Sequence, residues 1–183
     1  MARVLVPLAE GCEELEAVTV IDLLRRAGIE VVTAGLREGL VHCSRGTMLM
    51  PDKVLDDVLG DDFDMMVLPG GLPGADHLDK DPRIHLLLQQ MADKGRYTAA
   101  ICAAPKVLGS AGLLDGRTAT GYPGVLGALA LTQTQISEQA VVKDGSVITS
   151  RGPGTAMDFA LELIEALAGA DKRREVEQPL VRS

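Results

Sequence analysis

A single cysteine stands where a predicted strand turns into a predicted helix. Residues 97–101 form a nearly continuous apolar run, typical of a strand buried on both faces, and Pro105 is suited to a first helical turn. Cys102 lies between them, where backbone amides and the helix dipole favour a thiolate and could hold an oxyanion. Ala103 and Ala104 leave room for a substrate. The pattern fits a nucleophile, and it also fits the inert buried state common among free cysteines.

Three carboxylates open the first predicted helix. Glu13, Glu14 and Glu16 all interact favourably with the helix N-terminus, which by itself explains at least two of them. A carboxyl group that faced the Cys102 turn would be favoured in its protonated form and could transfer a proton. Helical periodicity does not choose among the three, because the helix is apolar nearly all round.

Two glycine-containing turns follow other predicted strands. Gly70 and Gly71 end the strand expected beside the Cys102 strand, where glycine lets the backbone approach a ligand, although a simple tight turn explains them equally well. The lysine of a P-loop and the full dinucleotide fingerprint are both missing from this run. Residues 150–155 (Ser-Arg-Gly-Pro-Gly-Thr) either bind an anion or form a rigid turn before a helix.

Metal and serine-nucleophile chemistry have little support. His42, His77 and His85 do not occupy predicted strand ends, and surface or loop roles explain them. His42 adjoins Cys43, but no further ligand pair has zinc-like spacing. No serine lies in a Gly-x-Ser-x-Gly elbow. We therefore predict neither a metal site nor a cofactor.

The surrounding elements alternate as in an α/β fold. Residues 3–8 are predicted as a strand, residues 13–27 as a helix with apolar positions Leu15, Val18, Ile21 and Leu24, and residues 29–34 as the next strand. This βαβ unit implies a parallel sheet with a right-handed crossover. The remaining predictions are short strands in 40–50, a helix in 53–59, a strand in 63–68, helices in 82–94, 105–111, 156–168 and 170–177, short strands in 117–150 and a strand in 147–149.

Composition limits the class of protein. The 183 residues are enough for one domain spanning 1–183, with helices on both faces of one sheet. The net charge of −8 disfavours nucleic-acid binding through a broad basic face. No apolar stretch approaches the length of a membrane span. Three widely spaced cysteines fit reduced thiols in a cytoplasm better than a disulfide framework.

Four segments together resemble the ThiJ/PfpI superfamily. Their order and spacing cover nearly the whole chain, and His42 to Arg45 adds a likeness to the branch that contains the Parkinson-disease protein and the bacterial oxidative-stress protein YajL. The segments are 11–17 (Gly-Cys-Glu-Glu-Leu-Glu-Ala), 67–71 (Val-Leu-Pro-Gly-Gly), 99–105 (Ala-Ala-Ile-Cys-Ala-Ala-Pro) and 149–155 (Thr-Ser-Arg-Gly-Pro-Gly-Thr).

The resemblance implies a flavodoxin-like three-layer sandwich, a homodimer and a set of functional residues. The family's reactive cysteine maps to Cys102, and the acid that hydrogen-bonds its thiolate or sulfinate maps to Glu16. The pocket amides map to Gly71 and Ala103. Basic residues near the family's pocket or dimer interface map to Arg45 and Arg26.

One position departs from many members of the branch. Where they place a histidine near the cysteine, this chain has Tyr122, although YajL-like proteins also carry an aromatic residue there. A neutral tyrosine is a poor base at neutral pH. A Cys-His protease mechanism is therefore disfavoured, and Glu16 is left to transfer any proton.

Two functions follow from the resemblance. The first is a cofactor-independent glyoxalase or deglycase that acts on reactive α-oxoaldehydes or on glycated proteins and nucleotides. The second is a redox-regulated chaperone or oxidative-stress sensor in which Cys102 is oxidised. Both imply a role in carbonyl and oxidative stress, and the cysteine usage predicts that the protein is cytoplasmic.

Overall fold

The strands of the protein form one large sheet and two small ribbons. A computed structural model describes residues 1–182. In chain order the strands are β1 (Arg3–Leu8), β2 (Glu30–Gly35), β3 (Val41–His42), β4 (Met48–Leu49), β5 (Lys53–Val54), β6 (Met65–Leu68), β7 (Tyr97–Ile101), β8 (Thr118–Ala119), β9 (Gln135–Ile136), β10 (Val141–Asp144) and β11 (Val147–Ser150).

The large sheet is parallel except at one edge. Its seven strands run in the order β10-β11-β7-β6-β1-β2-β5, and only β10 pairs antiparallel with its neighbour. The chain order reverses between β1 and β6, which makes this the topological switch point of the sheet, where ligands of open α/β sheets usually bind at the carboxyl ends of the strands. The predicted flavodoxin-like, mostly parallel architecture is confirmed.

Helices cover both faces of the sheet. They are α1 (Glu14–Arg26), α2 (Gly74–Lys80), α3 (Pro82–Asp93), α4 (Pro105–Ser110), α5 (Ala156–Ala168) and α6 (Ala170–Glu177). Alternate residues of a strand point to opposite faces. Accordingly, Val4 and Val6 join the core under α1 and α5, whereas Leu5 joins the core under α3 and α4.

Three local predictions need correction. Leu15 and Val18 of α1 are half exposed, and its buried face instead carries Glu16, Ala17, Val20, Leu23 and Leu24, because packing against the sheet and α5 decides the orientation. The helix α2 was not predicted, since its short sequence starts with glycine and carries three charged residues. Residues 53–59, expected as a helix, form the strand β5 and a single 3₁₀ turn over residues 55–58, whereas the short strands expected within 117–150 are present as β8, β9 and β10.

The hairpin of β3 and β4 lies beside the start of α1. The two strands share only the pairs Val41–Leu49 and His42–Met48, and the turn between them carries Ser44 and Arg45. This confirms the predicted pair of short, partly exposed strands. Within residues 1–182, no helix combines the length and the apolar character needed to cross a membrane.

Candidate active site

Cys102 occupies a strained bend at the carboxyl end of β7. Its φ is +64°, a left-handed conformation that few residues other than glycine adopt. The bend is held from both sides, because the Cys102 N–H donates to the Ser150 carbonyl at 3.0 Å and its carbonyl accepts from the Tyr122 N–H at 2.8 Å. The side chain is only partly buried. The sulfur is therefore held in place at the edge of the sheet.

Glu16 is the acidic residue that reaches this bend. It lies in the first turn of α1, is fully buried, and accepts a hydrogen bond on Oε2 from the Gly70 N–H at 2.9 Å. Glu13 instead accepts a hydrogen bond from the Ser44 hydroxyl, and Glu14 accepts from the backbone N–H groups of Arg45 and Thr47. The three carboxylates look alike in the sequence, and their different contacts are seen only in the folded protein.

Two glycines allow the groups to meet. A Cβ atom on Gly70 would lie 2.6 Å from Cys102 Cβ and 2.7 Å from Glu16 Oε2, which is closer than such atoms approach. A Cβ atom on Gly71, whose φ is +88°, would lie 2.4 Å from the Glu13 nitrogen. Both positions therefore require glycine for steric reasons, and the turn brings bare backbone against the thiol and the carboxyl group.

The electrostatics at Cys102 correct one prediction. Burial and the Glu16 carboxyl group raise the pKa of the Cys102 thiol to about 12, while the amides of Gly71 and Ala103 act in the opposite direction. The predicted amides are thus next to the sulfur, but they do not outweigh burial and a neighbouring negative charge. The expected help from a helix dipole is small, because α4 has only six residues.

Glu16 holds its proton more firmly than an exposed glutamate. Burial raises its pKa to about 7, and the charge on Glu13 adds to this, whereas hydrogen bonding to Cys102 and Gly70 opposes the rise. Its buried Oε1 receives no N–H or O–H donor from residues 1–182, so we infer that this oxygen is available for the proton and for Cys102. Burial of Cys102 is unchanged when Glu16 is protonated, but the repulsion between the Glu16 charge and the Cys102 thiolate disappears, so the thiol and the acid form a coupled pair.

Three other predicted residues, Tyr122, Arg45 and Arg26, lie outside the pair of Cys102 and Glu16. The half-exposed Tyr122 donates its backbone N–H to Cys102, and its ring lies over Gly152. Arg45 is exposed on the hairpin, with its Nε 3.8 Å from Glu13 Oε2. Arg26 bonds to Asp22 in the last turn of α1, about 15 Å along the helix from Glu16. Arg26 is therefore a surface residue and does not line the pocket.

The remaining motif and the histidines are occupied by structural contacts. The Ser150 hydroxyl pairs with Thr155 at 2.7 Å, and Thr155 also bonds to Gly152, which favours the rigid-turn interpretation of residues 150–155. His77 bonds to the Glu10 carbonyl, and His85 bonds to the Asp79 carbonyl.

Sequence reasoning missed two backbone groups of the site. The Gly70 N–H fixes the Glu16 carboxyl group, and the Ser150 carbonyl fixes the Cys102 turn. Gly70 follows β6 and Ser150 ends β11, so the rule that parallel strands place their carboxyl ends together could have marked them. No sequence signal gives their hydrogen-bonding roles.

Comparisons with known proteins found similar sequences and a similar structure. A family model described as the DJ-1/PfpI family matches residues 2–166. The chain is 43% identical over 182 residues to the Parkinson disease protein 7 homolog of Danio rerio, covering 98% of this chain and 96% of that protein. It is 37% identical over 179 residues to the glutathione-independent glyoxalase DJR-1.2 of Caenorhabditis elegans, covering 98% and 95%. The crystal structure of Drosophila melanogaster DJ-1beta superposes with a TM-score of 0.95 at 44% identity, covering 100% of this chain and 98% of that one.

Proposed function

The chain belongs to the DJ-1/PfpI family, and we propose that it is a cysteine-dependent, cofactor-independent enzyme that acts on reactive α-oxoaldehydes or on their adducts with proteins and nucleotides. The observation that carries the proposal is the coupled pair of Cys102 and Glu16 at a strained bend. A relative that shares nearly the whole chain is named a glutathione-independent glyoxalase, which supports the same chemistry.

The first step is addition of sulfur to an aldehyde. With methylglyoxal as substrate, the Cys102 sulfur attacks the aldehyde carbon, a C–S bond forms, and the carbonyl π electrons move to oxygen. The amides of Gly71 and Ala103 stabilise that oxyanion, which then takes the proton of Glu16 to give a hemithioacetal and ionised Glu16. Protonated Glu16 favours the thiolate that starts the reaction, because a neutral acid does not repel the sulfur's negative charge.

The second step moves a proton between adjacent carbons. Ionised Glu16 removes the proton from the former aldehyde carbon and returns it to the neighbouring carbon, while the hydroxyl proton passes to the former ketone oxygen, which leaves a thioester of lactate on Cys102. Water then attacks the thioester carbon, the C–S bond breaks, and lactate leaves with the thiol restored. A pKa of about 7 suits Glu16 to both accept and donate a proton near neutral pH.

The test measures lactate formed from methylglyoxal without glutathione and with a metal chelator present. We expect Cys102→Ser to abolish lactate formation, and Glu16→Gln to lower kcat by about 10²–10⁴-fold, the usual contribution of a positioned proton-transfer group. Cys43→Ala is the matched control, because it removes a cysteine outside this pair and should leave the rate unchanged. Unchanged lactate production by Cys102→Ser would exclude Cys102 from the reaction.

A redox role for the same sulfur is the second candidate. Cys102 is partly exposed, whereas Cys12 and Cys43 are buried, which favours Cys102 as the first thiol to meet a small oxidant. Protonated Glu16 could hydrogen-bond a sulfinate formed there. Mass spectrometry after mild peroxide treatment tests this role, and oxidation of Cys12 or Cys43 before Cys102 would argue against it.

The partners are proposed on the same basis. Leu15 and Val18 of α1 and Met48 of β4 are exposed apolar residues, and Val18 lines a surface cavity together with Met50. Covering this face with a second copy of the chain gives the homodimer that the family resemblance implies. Cytoplasmic localisation remains a prediction from the cysteine content.

A further inference from the structure

Two cysteines outside the proposed active site face each other in the interior. Cys12 lies in the loop between β1 and α1, and Cys43 directly follows β3. Their sulfur atoms are 3.6 Å apart, and the two residues are 1% and 7% exposed. The mechanism proposed above uses neither of them.

The surroundings of the pair are mainly aliphatic. Both residues belong to the core cluster under α1, and the only other hydrogen-bond acceptor recorded for either thiol among residues 1–182 is the Val41 carbonyl, 4.0 Å from the Cys43 sulfur. The carboxylates of Glu10, Glu13 and Glu14 lie around the pair, and burial raises the pKa of both thiols. Each thiol therefore has the other as its main polar neighbour and is protonated at neutral pH.

The separation requires little movement to become a covalent bond. A disulfide needs its sulfur atoms about 2 Å apart, so these two must approach by about 1.5 Å. Cys43 belongs to the small β3–β4 hairpin, which is a sheet separate from the large one. The Cys43 N–H, bonded to the Thr47 carbonyl at 2.8 Å, closes the hairpin turn.

We propose that Cys12 and Cys43 are a redox-responsive dithiol that a hydroperoxide oxidises to an intramolecular disulfide. The Cys43 sulfur, the more exposed of the two, attacks the peroxide, so that an S–O bond forms, the O–O bond breaks, and water or an alcohol leaves. The Cys12 sulfur then attacks the Cys43 sulfenic acid, so that the S–S bond forms, the S–O bond breaks, and a second water leaves. Both thiol protons end in those leaving groups, and the peroxide accepts the two electrons.

The disulfide would restrain the loop that carries Cys12, next to the proposed active site. The Gly11 N–H donates to the His42 carbonyl and the Ser44 N–H donates to the Cys12 carbonyl, each at 2.8 Å. The hairpin is therefore already hydrogen-bonded to this loop. On its other side the loop packs against the glycine turn, because the Glu13 N–H donates to the Gly70 carbonyl at 2.9 Å. A disulfide would make the contact between hairpin and loop covalent next to the amides that surround Cys102.

Peptide mass spectrometry tests the proposal on the whole protein. Trypsin separates the three cysteines into peptides 4–25, 38–45 and 97–106. After treatment with hydrogen peroxide, unfolding and alkylation of remaining thiols, we expect peptides 4–25 and 38–45 to be joined, with the loss of two hydrogen atoms, and to separate on reduction with dithiothreitol. The joined peptides should come from monomeric chains on a non-reducing gel.

Variants keep this result independent of the proposed enzyme. Cys102→Ser should retain the joined peptides, while Cys12→Ala and Cys43→Ala should each abolish them. Free thiols at both positions after Cys102 has been fully oxidised would overturn the proposal. So would sulfinic acid at Cys43 without linkage, a bond from either cysteine to Cys102, or a link between two chains.

Discussion

Replacing Glu16 with glutamine should change how the stability of the protein depends on pH. The pKa of Glu16 is raised from 4.5 in an exposed setting to about 7 in the folded protein, so the fold keeps a proton that the unfolded chain has lost. The contribution of this group to stability is therefore complete below about pH 4.5 and is lost as the pH rises through about 7.

The size of the effect follows from the same shift. At about 1.4 kcal/mol for each pH unit between those two values, ionising Glu16 in the folded state costs about 3 kcal/mol. Glutamine has nearly the same shape and can still accept the Gly70 hydrogen bond, but it does not titrate. The free energy of unfolding of Glu16→Gln, minus that of the parent protein, should therefore rise by about 3 kcal/mol between about pH 4.5 and pH 8.

Urea unfolding at a series of pH values measures this difference. The range stops at about pH 8 so that ionisation of Cys102, whose pKa is also raised, adds little to the signal. Glu138→Gln is the matched control, because it makes the same chemical change at an exposed loop position. Relative to the parent protein, the free energy of unfolding of Glu138→Gln should change little between about pH 4.5 and pH 8, whereas that of Glu16→Gln should rise by about 3 kcal/mol.

The raised pKa of Glu16 would be wrong if the free energy of unfolding had the same pH dependence in the parent protein and in Glu16→Gln. They would mean that Glu16 ionises in the folded protein as readily as in the unfolded chain. Glu16 would then be mostly ionised near neutral pH and would not favour formation of the Cys102 thiolate.

Three further changes test the packing of the site and the exposed face of α1. Gly70→Ala should lower the free energy of unfolding by about 1–3 kcal/mol and abolish lactate formation, because the added Cβ would overlap Cys102 and Glu16. Gly60→Ala is the control, because a Cβ there enters open space and should change neither stability nor lactate formation. Val18→Asp should convert the proposed dimer to a folded monomer, measured by light scattering and circular dichroism, and an unchanged mass would exclude this face. Tyr122→Phe should keep kcat/KM for methylglyoxal within about threefold, since a neutral phenol is a poor base, and a loss above about a hundredfold would assign its hydroxyl a catalytic role.

Local sequence patterns located several of the longer strands and helices well. The runs that became β1, β7, α5 and α6 have the predicted bounds, because their apolar periods and their flanking turn residues agree. The patterns failed where an element is short or where its orientation depends on a distant partner. Helix α2 is the clearest omission, because its seven residues contain no strong apolar period.

The orientation of α1 illustrates the limit in physical terms. Its apolar residues lie nearly all round the helix, so periodicity is satisfied by more than one face. Packing against α5 selects the face that buries Glu16 and exposes Leu15 and Val18. That choice both brings the acid to Cys102 and leaves Leu15 and Val18 as part of an exposed apolar surface.

The amino-acid sequence was sufficient to predict the α/β architecture and the position of Cys102 at a strand end, since a strand, a bend and a helix start are local features of the chain. The three-dimensional fold was needed to show which glutamate meets Cys102, that burial raises the pKa of that thiol, and that Cys12 lies against Cys43. These depend on contacts between segments distant along the chain, which form only when the sheet brings its carboxyl ends together. Desolvation depends on the atoms that surround a group, and local sequence does not specify those atoms.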